Sequence, residues 1–143
     1  MKFLLDTNVL SELRKGIKAN PLVRKWWSET NSMDVCVSVM VLGEIRQGVE
    51  RLKNRNPEKA QEIERWLESI PRTMGTRLLG VNHRVADVWG KMGVKRTLPL
   101  VDSLLAATAV AHDLTLVTRN TKDINDTGAR YLNPFEPVDF QSR

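Results

Sequence analysis

Met1-Lys2-Phe3-Leu4-Leu5-Asp6-Thr7-Asn8-Val9-Leu10 opens the chain, and the order of residue types in this stretch decides the fold. The apolar run over residues 2–6 reads as a short strand buried on both faces. It stops at a carboxylate, and a helical pattern follows from Val9 to about Lys15, ending at Gly16. A carboxylate ionised away from water costs on the order of several kcal/mol unless a cation meets it. Taken alone, Asp6 reads equally well as the cap of the helix that follows it.

The same alternation continues down the chain. Asn20-Pro21 caps and opens a helix through Trp26 and Trp27, and only one of the two indoles is able to face the core. Val35 to Ser38 is a second buried strand, feeding a helix whose stripe is Leu42, Ile45, Val49 and Leu52. After the break at Asn54–Pro57, Ala60, Ile63, Trp66, Leu67 and Ile70 share a helical face that Pro71 is expected to stop. Arg77 to Val81 predicts a third strand, and Asn82 caps a helix carrying Val85, Trp89 and Met92. Leu100 to Ala111 is apolar almost all round and therefore buried. Leu114 to Thr118 and Ala129 to Leu132 read as further strands. Short β-branched runs alternating with helices predict an α/β fold, a mainly parallel central sheet flanked by helices on both faces. With 143 residues and no linker or repeat, a single domain over 1–143 is expected, its core about 2–135.

In such folds ligands bind beyond the carboxyl ends of the strands. Asp6 ends the first strand, Glu44 lies on the helix after the second, Asp102 starts the apolar helix, and Asp123 follows the strand 114–118. Glu44 has Met40, Val41, Gln47 and Gly48 at its i±3 and i±4 positions, so no base on its own helix balances it. Asp102 has Leu98, Pro99, Leu105 and Ala106 there. The helix dipole stabilises a first-turn acid by roughly 0.3–1 kcal/mol, too little to offset desolvation, so a cation is the better account. Asp123 has a simpler alternative, pairing with Arg119 at i−4. Isolated acids without a His or Cys cluster suit a hard, oxygen-seeking cation such as Mg²⁺ or Mn²⁺.

Other chemistries lack their residues. His83 and His112 have no companion ligand for zinc, and Ser38 and Ser103 lack the glycine-flanked turn of a hydrolase nucleophile. There is no phosphate-binding glycine loop. The single cysteine, Cys36, sits in an apolar strand, no stretch is long enough to span a bilayer, and Asp6 interrupts any secretory pattern; a cytoplasmic protein is expected. The net charge of +5 and pI near 9.7 favour a polyanionic partner, nucleic acid foremost, against the plainer reading of a lysine-rich solvated surface. Arg119 and Lys122 are the basic residues nearest the acids in sequence.

Asp6-Thr-Asn8, Glu44, Asp102 in Leu-Val-Asp-Ser-Leu-Leu-Ala-Ala-Thr-Ala, and Leu-Val-Thr118-Arg-Asn120-Thr-Lys-Asp123, in this order and spacing, resemble the PIN domain, and within it the VapC toxins of toxin–antitoxin pairs, including the FitB-like branch. The likeness runs from residue 2 to about 135. It implies a metal-dependent endoribonuclease, often a homodimer, held inactive by a cognate antitoxin that also binds operator DNA. By motif position Asp6, Glu44, Asp102 and Asp123 form the acidic metal site, with Thr118, Asn120 and Asn8 as polar supports. Where the family often shows Asp-Phe this chain has Asp123-Ile124, which leaves the fourth contact to either Asn120 or Asp123. Two rival readings stand beside it. One is a phosphatase with Asp6 as nucleophile, which lacks a second Asp where Asn8 stands; the other is a catalytically silent RNA- or protein-binding module.

Overall fold

In the computed structural model, which describes residues 1–92 and 98–138, the opening strand is β1 (Phe3–Leu5), fully buried. Residues 93–97 and the last residues of the expected domain, 139–143, lie outside the described residues. Successive side chains of a strand point to opposite faces, and β1 divides its three residues accordingly. Phe3 and Leu5 join a cluster with Val9 and Trp26, while Leu4 joins a larger one with Val41, Ile45, Leu67, Ile70, Leu105 and Ala109. Both faces of the sheet are therefore covered, as a continuous apolar strand requires.

The elements follow in the expected order. Helices α1 (Thr7–Arg14) and α2 (Pro21–Ser28) lead to β2 (Val35–Ser38). Helices α3 (Val39–Leu52) and α4 (Pro57–Met74) lead to β3 (Leu78–Leu79). Helices α5 (His83–Lys91) and α6 (Leu100–Ala111) lead to β4 (Thr115–Val117), and α7 (Thr121–Ile124) to β5 (Arg130–Leu132). The five-stranded sheet has the order β3-β2-β1-β4-β5, and every pairing is parallel; Leu4 is in register with Cys36 on one side and Leu116 on the other. The chain builds outward from β1 in one direction through β3, then returns to β1's other flank with β4. The order reverses between β1 and β4, which is where an open parallel sheet leaves a crevice at its carboxyl edge.

Alternating polar caps set the helix starts. Asn20, Asn56 and Asn82 each accept backbone N–H groups at the openings of α2, α4 and α5, and Pro21 and Pro57 occupy first turns where no N–H is missed. Trp26 is buried against Phe3 in an edge-on contact with ring centroids 5.3 Å apart, and Trp27 is the half-buried member of the pair. Helix α6 is apolar all round because it is sandwiched: Leu105, Ala106 and Ala109 face the sheet, and Ala107 and Ala111 face Val85 of α5. The burial is incomplete, however. Leu100, in the first turn, and Val110 are exposed.

Two further expectations are corrected. Pro71 does not stop α4, which runs on to Met74. Proline removes one backbone donor, yet the last turn is held by Thr73 Oγ1 donating to Ser69 O and by the Gly75 N–H donating to Pro71 O. The stop is Gly75, at φ +54°, a conformation that side-chain-bearing residues resist. The third strand is only Leu78–Leu79; Arg77 lies in a 3-10 turn, its guanidinium donating to the carbonyls of Ser32 and Val35. Among the described residues no helix is long and apolar enough to cross a membrane.

Candidate active site

Asp6 leaves β1 at the crevice. Its backbone N–H continues the sheet ladder by donating to Val117 O at 2.9 Å, and it is the N-cap residue of α1. The carboxylate is only 6 % exposed, and both oxygens are engaged: Oδ1 accepts from Thr7 N at 2.6 Å and Oδ2 from Thr118 Oγ1 at 2.7 Å. The carboxylate that caps α1 therefore also reaches across to the end of β4. None of these donors is cationic.

The hydroxyl of Thr118, itself buried, also accepts from Asn120 N at 3.0 Å. Asn120 then donates Nδ2 to Asp102 Oδ2 at 3.4 Å. Asp6, Thr118, Asn120 and Asp102 thus form a continuous polar chain from the end of β1, over the end of β4, to the first turn of α6. On the opposite side Thr7 Oγ1 donates to Glu44 Oε1 of α3 at 2.5 Å. Residue Thr7 is the member of this group that sequence reasoning missed. Its place beside Asp6 was visible, but the direction of its hydroxyl depends on where α3 brings Glu44.

The electrostatics gather the acids more directly than any one bond. The Asp102 carboxyl is pushed up to about 6, first by burial and then by the negative charges of Asp6, Glu44 and Asp123; the Asn120 hydrogen bond opposes the rise. Four acids separated widely in sequence therefore share one field. Arg46, two positions from Glu44, is turned away to Glu64 and Glu50. Among the described residues no lysine or arginine forms an ion pair with Asp6, Glu44 or Asp102, while Arg119 lies over the Phe135 ring. Asn8, expected as a support, is exposed and makes no hydrogen bond to the acids. His83 opens α5 in solvent and His112 caps the end of α6, both away from this chemistry. Ser38 caps α3 by accepting from Met40 N, and Ser103 Oγ accepts from Trp89 Nε1.

Among the described residues no three His, Cys, Asp or Glu side chains enclose an ion by themselves. Magnesium keeps several waters and uses one or two carboxylates, whereas zinc sites close on N and S ligands. Carboxylates that repel one another in a shared crevice form a donor set that fits a hard divalent cation.

Residues 3–129 match the PIN domain. The chain belongs to the PIN domain family. It is 30 % identical to the toxin FitB of Neisseria gonorrhoeae over 137 residues, covering 92 % of this chain and 97 % of that protein. It is 28 % identical to the VapC ribonuclease Y4jK of Sinorhizobium fredii, covering 94 % of this chain and 99 % of the relative. The fold superposes with a TM-score of 0.84 on a structure of FitAB bound to an IR36 DNA fragment, at 28 % identity over 96 % of this chain and 99 % of that one. Against FitAcB from N. gonorrhoeae the TM-score is 0.83 at 30 % identity, over 94 % and 99 % of the two chains. These PIN relatives span nearly the full length compared, so the sheet order and the crevice belong to the shared fold.

Proposed function

We propose that this PIN domain is a toxin endoribonuclease that hydrolyses RNA phosphodiester bonds with Mg²⁺ or Mn²⁺ at the acid pocket. A cognate antitoxin holds it inactive in the cytoplasm. The observation that carries the reading is the raised Asp102 carboxyl, at about 6, surrounded by the charges of Asp6, Glu44 and Asp123. A pocket that concentrates negative charge at a ligand-binding crevice is matched to a cation. The relatives named toxin FitB and VapC ribonuclease Y4jK supply the reaction class and the biological setting.

Asp6, Glu44, Asp102 and Asp123 would hold the metal, which when bound activates water and neutralises charge developing on the phosphoryl group. The chain's own residues prepare that arrangement. Thr118 and Thr7 fix one oxygen each of Asp6 and Glu44, leaving less rotamer freedom to be lost when the cation arrives. Asn120 orients Asp102 through Oδ2, and the repulsion that raises the Asp102 carboxyl would be relieved by a bound cation. Asn120 and Asp123 then act on the same carboxylate by different means, one by hydrogen bond and one by charge. Asn8, exposed at the start of α1, and the basic residues Arg119 and Lys122 would face the substrate. The assembly would be a homodimer that joins the antitoxin in a larger complex; the similarity to FitAB and FitAcB supports a partner protein.

The test is sequencing of RNA 5′ and 3′ ends after pulsed expression of the wild type and of Asp6→Asn. Cuts that appear only with the wild type establish activity and target together. Identical RNA ends in the two cultures, with both proteins folded, reject the nuclease.

A further inference from the structure

Arg119 sits between two residues of the polar chain, Thr118 and Asn120, but its side chain takes another path. Its guanidinium carbon lies 3.8 Å from the centroid of the Phe135 ring. Phe135 is half-buried in the cluster that holds Val9, Trp26 and Val117, so the ring is anchored from below by the core on the α1 side of the sheet. Arg119 is exposed above it. A guanidinium this close to a ring centroid is attracted by the π face, a contact that needs no hydrogen-bond acceptor.

The carboxylate whose field reaches Arg119 is Glu12, and that carboxylate is already filled: Oε2 accepts from Asn20 N at 2.9 Å and Oε1 from Lys15 at 3.0 Å. Among the described residues the ring contact is the interaction that Arg119 makes, with no ion pair beside it. A long cationic side chain at a protein surface ordinarily samples many rotamers. Here one arginine, flanked in sequence by Thr118 and Asn120, rests against an aromatic ring with its donors unspent. Fixed N–H forks match phosphate oxygens two at a time.

We infer that Phe135 is a positioning residue that mounts Arg119 as a clamp for a backbone phosphate of the RNA strand, on the α1 side of the acids and next to the phosphate being cut. The inference rests on the ribonuclease reading for the identity of its ligand. It adds a residue with no polar atom in its side chain to the binding machinery. Arg119 acts by direct contact; Phe135 acts only through Arg119.

The experiment measures binding of a fluorescein-labelled, 20-nucleotide single-stranded RNA of mixed sequence by anisotropy, in chelator, at several KCl concentrations. The proteins are the wild type, R119Q, R119K, F135L and F135Y. Loss of one phosphate contact lowers the slope of log K against log salt by about 0.7 for a single strand. R119Q is expected to weaken binding three- to tenfold and to lose that increment of slope. F135L keeps every charge yet is expected to weaken binding two- to fivefold, with R119K close to it, while F135Y keeps the aromatic mount and binds as the wild type does. Melting temperatures within a few degrees of wild type establish that the variants fold; should F135L melt early, R119K against F135Y decides the question alone. F135L and R119K binding as tightly as the wild type would overturn the mount, and an unchanged slope in R119Q would overturn the clamp. Failure of the nuclease reading looks different. In that case RNA binding still depends on Arg119, but wild type and Asp102→Asn leave the RNA equally intact when Mn²⁺ is added.

Discussion

Thr118 Oγ1 donates to Asp6 Oδ2 at 2.7 Å, joining residues 112 positions apart at the carboxyl ends of β1 and β4. Both partners are buried. The bond ties the two strands that flank the crevice and fixes the carboxylate most shielded from solvent. Its removal should therefore be felt in stability as well as in activity.

Thr118→Val keeps the shape and removes the hydroxyl, leaving Asp6 Oδ2 without a donor and Asn120 N without an acceptor. Loss of a hydrogen bond to a buried charged group costs about 1–3 kcal/mol. Urea unfolding of Thr118→Val should show a loss in that range, and Thr118→Ser should recover most of it. Equal stabilities for Val and Ser would mean that the hydroxyl contributes nothing.

Asp102 gives a pH signature. Its folded carboxyl titrates near 6 against an ordinary value of 3.8, so between those limits the native state binds more protons than the unfolded chain. Unfolding free energy must then fall as pH rises through the window and level off above it. Above pH 6 the ionised group destabilises the metal-free fold, by about 1 kcal/mol once solvent screening is allowed for. In chelator, Asp102→Asn should be more stable than the wild type at pH 7.5 and should lack this part of the slope. Urea midpoints at pH 4.5 to 7.5 check it; a wild type that gains stability across the window relative to Asp102→Asn contradicts the assignment.

Thr7 acts on Glu44 rather than on the fold. Thr7→Val should leave the melting temperature within a few degrees of wild type, while Mn²⁺ affinity or cleavage falls about 10- to 100-fold, the usual effect of losing a partner that orients a metal-binding carboxylate. Isothermal titration with Mn²⁺ separates the outcomes. Undiminished affinity in Thr7→Val would make the Thr7–Glu44 bond incidental to the site.

The architecture was legible because two periodicities could be told apart. Continuous apolar runs at 2–6, 35–38 and 114–118 marked strands covered on both faces, and the core confirms that division residue by residue, Phe3 and Leu5 against Leu4. The convergence of Asp6, Glu44 and Asp102 followed from topology, since parallel strands deliver their ends to one edge. What could not be read depended on partners remote in sequence. The direction of the Thr7 hydroxyl and the contact of Arg119 with Phe135 are set by α3 and by the segment after β5. Pro71 misled for a local reason: one missing N–H near a helix end is tolerated when neighbouring donors hold the turn, and Gly75 makes the stop.

The most direct test incubates purified protein with total RNA, with and without Mn²⁺, comparing wild type with Asp102→Asn and following the RNA by gel and Mn²⁺ binding by melting temperature. Cleavage and a raised melting temperature should appear together, only in the wild type and only with metal. Equal cleavage by Asp102→Asn, or cleavage undiminished in chelator, would contradict a pocket of carboxylates working through a divalent cation.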